Sequence, residues 1–419
     1  MTSIESETPS PVEARVPWWR SVLKCPTKNT LSETNGKRKT RKTVKVKRTD
    51  QNAPSKAAGS TPKKRPRKPW EERLGVLERL AEIERDDRSV DERVRENLSN
   101  WYSEGPQPAV IRVRPGFLRR VPALTKTQLR KIDLRDRPKT KLPAPPPLAL
   151  LVARPRGEGL RVALTLLFLI QTGSKPVLGA DGRVQIPVER GVGPFREEPY
   201  GLKDLIAIPA THSPPVKGAP QASSRESNRR EQIATALQLL TAKGIGMIEL
   251  PNAPGSPGRF NDVRLRNEVG TWVGDSAKYR QPGTNDKTVD IPVGFFLNGW
   301  LHTLNKREIA MWLMLRSEMD LLESSTPIDE FPLTIDAHQR LTVYDLALGV
   351  YETNSMLNKY GLIEVQSDPD RNEDGTGPRH NLAHHAFKLN DNGLATDALT
   401  TVTARVREEI RRQEERRTT

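Results

Sequence analysis

Apolar positions fall into a few periodic stretches separated by polar chain. In residues 70–101, Leu74, Leu77, Leu80, Val90, Val94, Leu98 and Trp101 recur at helical spacing with Glu and Arg interleaved, which predicts helices with one apolar stripe. Asp86-Asp87 predicts a break between two such helices. Helical spacing returns in "GLRVALTLLFLIQTG" (159–173) and in "EIAMWLMLRSEM" (308–319), where Ile309, Trp312 and Leu313 share a face that Arg316 interrupts. Val263 and Leu265 alternate with Arg264 and Arg266, the period of a strand.

One phrase occurs twice. "LQLLTAKGIGMIEL" (237–250) and "NSMLNKYGLIEVQ" (354–366) each read as the last turn of a helix, a glycine stop and a strand. Gly244 and Gly361 are placed to supply the left-handed cap that ends the helix. Before the second phrase, "NKRE" (305–308) predicts a capping box, with Asn305 and Glu308 exchanging bonds at the start of a helix. A short apolar stretch "PLTIDA", a second helix "HQRLTVYD", a turn "LALG" and a third helix "VYETNSMLNKY" follow. Val350, Leu357 and Tyr360 then share a face suited to packing on the first helix. "LIEVQ", a polar loop and "HHAFKL" predict a hairpin. The earlier region repeats the order. It has the helix at 159–173, a candidate strand "VQIPVE", a short helix "YGLKDLIAI", and a capping box at 223–226. A third helix with Ile233, Leu237 and Leu240 inward, the strand "GMIEL", the tip "PNAPGSPGRFND" and the strand "VRLRNE" complete it.

Helix, strand, helix, helix, strand, loop, strand resembles the winged-helix fold, and the ending Leu357, Tyr360, Gly361, Leu362, Ile363 is similar to the close of its recognition helix. The expected class is mainly α with small β-hairpins (α+β): two tandem winged-helix domains behind a disordered basic N-terminal tail. The expected segments are the tail at 1–69, a charged helical segment at 70–103 and a Pro-rich extended linker at 104–158. Winged-helix domain 1 follows at 159–268, a linker at 269–290, domain 2 at 291–392 and a charged C-terminal helix at 393–419. Phe295, Phe296 and Trp300 are read as core.

Charge adds a partner to this outline. The formal net charge is +16, and residues 1–70 hold 18 Lys+Arg against 5 Asp+Glu, so 18 − 5 = +13 of it lies there. "KRKTRKTVKVKR" (37–48) and "PKKRPRKP" (62–69) fit arms that track DNA phosphates, and the second also fits a nuclear localisation signal. Trp18-Trp19 within the tail fits either docking on a partner or no role. The N-terminus has neither a basic n-region nor an apolar core, so no secretory leader is expected. The most apolar run, 160–170, is too short for a bilayer. The single cysteine, Cys25, fits a reducing compartment, so the expected location is cytoplasmic and nucleoid-associated, with no membrane partner.

Sequence reading in such a fold uses the outward face of the third helix and the wings. The candidates in domain 1 are Arg229, Arg230, Thr235 and Gln238 on the helix, with Arg259 and Arg264 on the wing. In domain 2 they are Tyr351, Glu352, Ser355 and Lys359, with Arg371 and Arg379 on the wing. His380, His384 and His385 cluster, but no cysteine or clear carboxylate joins them at ligand spacing, so structural or DNA-backbone use is favoured over metal. No G-x-x-x-x-G-K-[ST], G-x-S-x-G or H-E-x-x-H occurs, and no cofactor and no enzymatic activity are expected.

Paired winged helices resemble the replication initiators of bacterial plasmids, and "TVYDLALGVYETNSMLNKYGLIEVQ" is similar to winged-helix proteins of actinobacterial plasmids. The resemblance implies sequence-specific binding of double-stranded DNA at a repeat-containing origin and contact with a host replication helicase or initiator. A transcription regulator at a promoter and a nucleoid or scaffold protein remain open, as does a homodimer through residues 70–101.

Overall fold

A computed structural model describes residues 69–85, 87–120, 144–154, 158–173, 183–184, 188, 200–210, 224–250, 252–261, 263–270, 278–323, 333–368 and 384–418. The readings made for the basic tail and for Trp18-Trp19, Ser223, Arg371, Arg379 and His380 lie outside them. The described residues fall in one compact unit, Arg65–Thr419. It is mainly helical, with small antiparallel sheets.

The N-terminal part is two helices joined by a hairpin. Helix α1 (Pro69–Ala81) buries Leu77 and Leu80, and α2 (Val90–Ser103) buries Val90, Val94 and Leu98, the stripe that the spacing predicts. Between them β1 (Ile83–Arg85) pairs with β2 (Arg88–Ser89), so the predicted break is a tight strand pair. Ser89 and Glu92 form a capping box at the start of α2: the Ser89 hydroxyl accepts from the Glu92 amide at 3.1 Å, and the Ser89 amide donates to the Glu92 carboxylate at 2.8 Å. That bond, above all, holds the Glu92 carboxyl below its usual range.

Residues 104–158 were expected to form an extended linker. They instead contain β3 (Val110–Val113), α3 (Pro115–Leu118) and α4 (Pro147–Ala153), with Phe117, Leu118, Leu148 and Leu151 buried. The physical reason is the position of the prolines. Pro115 and Pro147 occupy the first helical turn, where no backbone donor is required and a fixed φ is an advantage.

The first helix–sheet module comprises α5 (Gly159–Thr172), α6 (Leu202–Leu205), α7 (Arg225–Leu240) and a sheet in the order β4-β6-β5, where β4 is Arg183–Val184, β5 Ile248–Glu249 and β6 Val263–Leu265. Every residue of α5 is buried. Its Arg161 is held by donating to the carbonyls of Leu301 and Leu304 at 3.2 and 2.8 Å and by pairing with Glu158. The Ser223 half of the capping box expected at 223–226 lies outside the described residues. Ser224 caps α7, accepting from the Ser227 amide at 3.1 Å, and Glu226 pairs with Lys203 at 2.6 Å.

The second module opens with β7 (Val289–Pro292), α8 (Gly294–Leu297) and α9 (Trp300–Thr303). The expected linker at 269–290 is partly structured, because β7 pairs antiparallel with β3 and Tyr279 is buried. Then come α10 (Lys306–Glu323), β8 (Leu333–Thr334), α11 (Ala337–Thr342), α12 (Leu348–Tyr351), α13 (Asn354–Lys359), β9 (Ile363–Gln366) and β10 (Ala386–Leu389). The sheet order is β8-β10-β9. Asn305 and Glu308 exchange the two bonds of the expected capping box, at 3.0 and 2.7 Å. Helix α10 has no narrow stripe: residues 308–315 are buried on all sides, because α3, α4, α12 and α13 surround it. The third helix is interrupted. Thr353 donates its hydroxyl to the Val350 carbonyl at 2.6 Å and Asn354 donates its amide to the Tyr351 carbonyl at 2.7 Å, so side chains occupy acceptors that a continuous helix would use. Gly361 and Gly244 carry φ of +77° and +94°, the left-handed stops that the repeated phrase predicts.

A 3₁₀ turn (Asp391–Ala395) leads to α14 (Ala398–Thr418), which packs on α1. One continuous apolar core runs through both modules. Phe168 of α5 stacks on Phe296 of α8 at 4.9 Å, and Phe295 stacks on Trp312 of α10 at 4.6 Å. Helix α2 touches both modules: Trp101 donates to the Leu169 carbonyl at 3.3 Å, Asn97 donates to the Asp204 carbonyl at 2.9 Å, and α2 packs on α8 of the second module, while Arg95 pairs with Asp397 ahead of α14 at 2.6 Å.

Candidate nucleic-acid interface

Helix α7 packs Ile233, Ala236, Leu237 and Leu240 inward, with α5 beneath it. Its exposed row holds Arg230, Thr235 and Gln238, three of the expected reading residues. Arg229 is a correction. It is 4% exposed, and its guanidinium donates to both carboxylate oxygens of Glu84, at 3.1 and 3.0 Å. Arg229 stands four residues before Ile233 and eight before Leu237, so helical spacing assigns it to the inward stripe. Arg225, one turn earlier, pairs with Glu82 at 2.7 Å. The β1–β2 hairpin thus ties down the cationic start of α7.

The β5–β6 hairpin of the first module adds positive charge. Arg259 lies over the Phe260 ring with its guanidinium carbon 5.6 Å from the centroid. The Nε atoms of Arg259 and Arg264 are buried without a hydrogen-bond partner, and among the described residues no carboxylate forms an ion pair with either side chain. Arg266 pairs with Glu249 at 2.8 Å. That hydrogen bond holds the Glu249 carboxyl below its usual range against the opposing effect of desolvation, and the charges of Arg266 and Arg264 assist. A cleft of about 310 Å³ lies among Thr241 at the end of α7, Glu249, Arg259 and Arg266. It joins the end of the helix to the base of the β5–β6 hairpin.

The second module presents less. Glu352 and Ser355 are exposed as expected. Tyr351 is half-buried and meets Phe387 edge-on at 5.7 Å, so part of its ring belongs to the core. Lys359 is half-buried and paired with Glu409 of α14 at 2.6 Å, a bond that holds the Glu409 carboxyl below its usual range. Neither was expected, because α14 lies some fifty residues further along the chain. Val350, Leu357 and Tyr360 are buried, and Tyr360 donates to Glu308 at 3.3 Å. Glu308 also accepts from Arg73 of α1 at 2.9 Å, so one buried carboxylate joins α1, α10 and the end of α13.

Comparison of the chain with protein-family models, with curated proteins and with solved structures finds no match in any of the three. The candidate residues therefore rest on geometry. His384 is exposed, and His385 lies 3.1 Å from the Ser367 hydroxyl. Among the described residues, no three His, Cys, Asp or Glu side chains gather as a metal site, and no helix is long and apolar enough to cross a membrane. His302 is buried without a hydrogen-bond partner, and burial, assisted by the Arg161 charge, pushes its pKa down to about 3. It is therefore neutral at physiological pH.

Proposed function

We propose that the two modules are winged helices and that the chain binds double-stranded DNA with sequence preference, the first module supplying most of the reading contacts. The observation that carries this is on the first module. Arg230, Thr235 and Gln238 form an exposed row on α7, and Arg259 and Arg264 on the adjoining wing have no carboxylate partner among the described residues. An arginine–glutamine row suits base edges in a major groove, and unpaired arginines suit the phosphates that flank it. The order of elements in the second module, with its sheet β8-β10-β9 behind α10–α13, supports a second winged helix.

The biological role proposed is replication initiation of the plasmid type at a repeated origin sequence, with a host replication helicase or initiator recruited to the bound protein. A footprint of the full chain on DNA around its own gene, at near-physiological salt, tests it. Evenly spaced direct repeats are the expected result. One inverted repeat over a promoter would replace this role with transcription regulation. Smooth, salt-labile binding without discrete protection would remove sequence reading altogether.

A further inference from the structure

A second cleft, of about 600 Å³, lies between α4, the start of α10 and the turn into α12. Ala149, Val152 and Ala153 line one side and Val350 the other, while Lys306 and Arg307 stand at the start of α10. Its apolar lining is bordered by two adjacent cations, and Asn305 and the Asp345 carboxylate line it as well.

The charge here is not neutralised within the protein. Among the described residues, Arg307 is exposed and its guanidinium forms no ion pair or hydrogen bond. Lys306 donates to the main-chain carbonyl of Arg154, a neutral group. Its ammonium is held below the ordinary lysine range by burial, and next by the Arg307 charge, with Glu158 opposing. The nearby acids are committed or too far to pair. Asp345 is bound by Arg120 at 3.0 Å, and Glu158 is bound by Arg161 at 2.5 Å. Glu352 flanks Gly349 on the α12 side but forms no ion pair with Arg307.

Arg307 lies against the turn into α12. Its guanidinium lies so close over Gly349 that a Cβ there would stand 3.3 Å from Nη1, tighter than ordinary contact. A Cβ at 349 would shift the flexible guanidinium only slightly, so the cation rests on the turn that leads into α12 and α13 without depending on this glycine. The amides of α10 do not make this site, because the Asn305 side chain already accepts from those of Arg307 and Glu308.

We propose that Lys306 and Arg307 grip a sugar–phosphate strand of DNA laid along this cleft, the phosphates on the two cations and the sugar edges against the alanine and valine lining. This rests on the DNA-binding reading above and deepens it. It gives the second module a backbone grip in place of the cations its recognition helix lacks. A grip of this kind carries affinity and register, and base preference comes from elsewhere.

The test is a salt titration of duplex binding by the full chain, wild type against Lys306→Gln/Arg307→Gln, with Gly349→Ala as a second variant that leaves both charges in place. Circular dichroism and melting confirm that each variant is folded. The double variant is expected to lose roughly tenfold in affinity and to lower the slope of log K against log salt by about 1.8, or about 0.9 for each released phosphate. Its ranking of duplex sequences stays unchanged. Gly349→Ala shifts the flexible guanidinium only slightly and keeps its charge, so it is expected to retain the wild-type slope. If wild type binds and the double variant keeps its affinity and slope, the grip is overturned while DNA binding stands; an acidic protein segment as occupant of the cleft gives this same result. If wild type does not bind duplex DNA at any salt, the DNA-binding reading falls and the grip with it.

Discussion

The two modules repeat one order of elements but differ in how their third helices are held. In the first, α7 is a continuous sixteen-residue helix with Arg230, Thr235 and Gln238 exposed on its outer side. In the second, the same position is divided into α12 and α13, Tyr351 leans into the core, and Lys359 is bound by α14. The lesson is that a shared pattern of apolar positions specifies the scaffold and leaves the outer face to chain segments added around it. The β1–β2 hairpin restrains the start of α7 through Glu82 and Glu84, and α14 restrains the end of α13 through Glu409.

The largest test of this comparison asks whether the modules are separable at all. Phe168→Ala removes the ring stacked on Phe296 where the two cores meet. It should cost about 3–5 kcal/mol. Denaturant unfolding should show one lower midpoint for both modules. Two separate transitions would show that the shared core does not couple them.

Next in size is the contrast between neighbours on α7. Arg229→Ala should cost about 3 kcal/mol, because it removes two charge-assisted hydrogen bonds to Glu84 and leaves that carboxylate only the more distant Arg93, at 3.6 Å. Arg230→Ala should change stability by less than about 0.5 kcal/mol and act on DNA affinity instead. Chemical denaturation and a binding titration on both variants separate the roles. The reverse pattern would return Arg229 to the reading face.

The brace that touches both modules carries a pH signature. Asp91 on α2 is buried, and desolvation raises its pKa from 3.8 to about 6, against the charge of Arg95 and with Asp397 adding to the rise. A carboxyl raised in the folded state binds its proton more tightly there than in the unfolded chain. Its ionised form therefore costs stability above pH 6, and that cost is relieved as pH falls from about 6 to about 4. The expected size is about 3 kcal/mol. Asp91→Asn should flatten this part of the stability–pH profile. An unchanged profile would mean that Asp91 is not the group responsible.

The smallest effect sharpens the comparison at the second module. Glu409→Gln frees Lys359 from α14 at a cost of less than about 1 kcal/mol. If Lys359 faces DNA once released, affinity should rise a few-fold in a low-salt titration, and unchanged affinity would leave Lys359 a purely structural residue.

Much of the scaffold was legible because burial repeats with a period. The stripes of α1 and α2, the two glycine stops and the capping box of Asn305 and Glu308 all follow from local spacing. What escaped depends on distant partners. Nothing near residue 359 announces Glu409, and the prolines of 104–158 read as a linker because their first-turn positions depend on the helices that follow. Arg229 is the instructive miss. Its charge suggested the surface, while its spacing from Ile233 already assigned it to the core.

The central claim is that the exposed side of α7 and the adjoining β5–β6 hairpin read DNA. The direct measurement is competition binding of the full chain to its footprinted site and to a scrambled duplex, for wild type and for a variant with Arg230, Gln238, Arg259 and Arg264 all changed to alanine. The account predicts that the folded variant binds both duplexes alike and weakly, through the remaining cations. A variant that still prefers its site as strongly as wild type would contradict it.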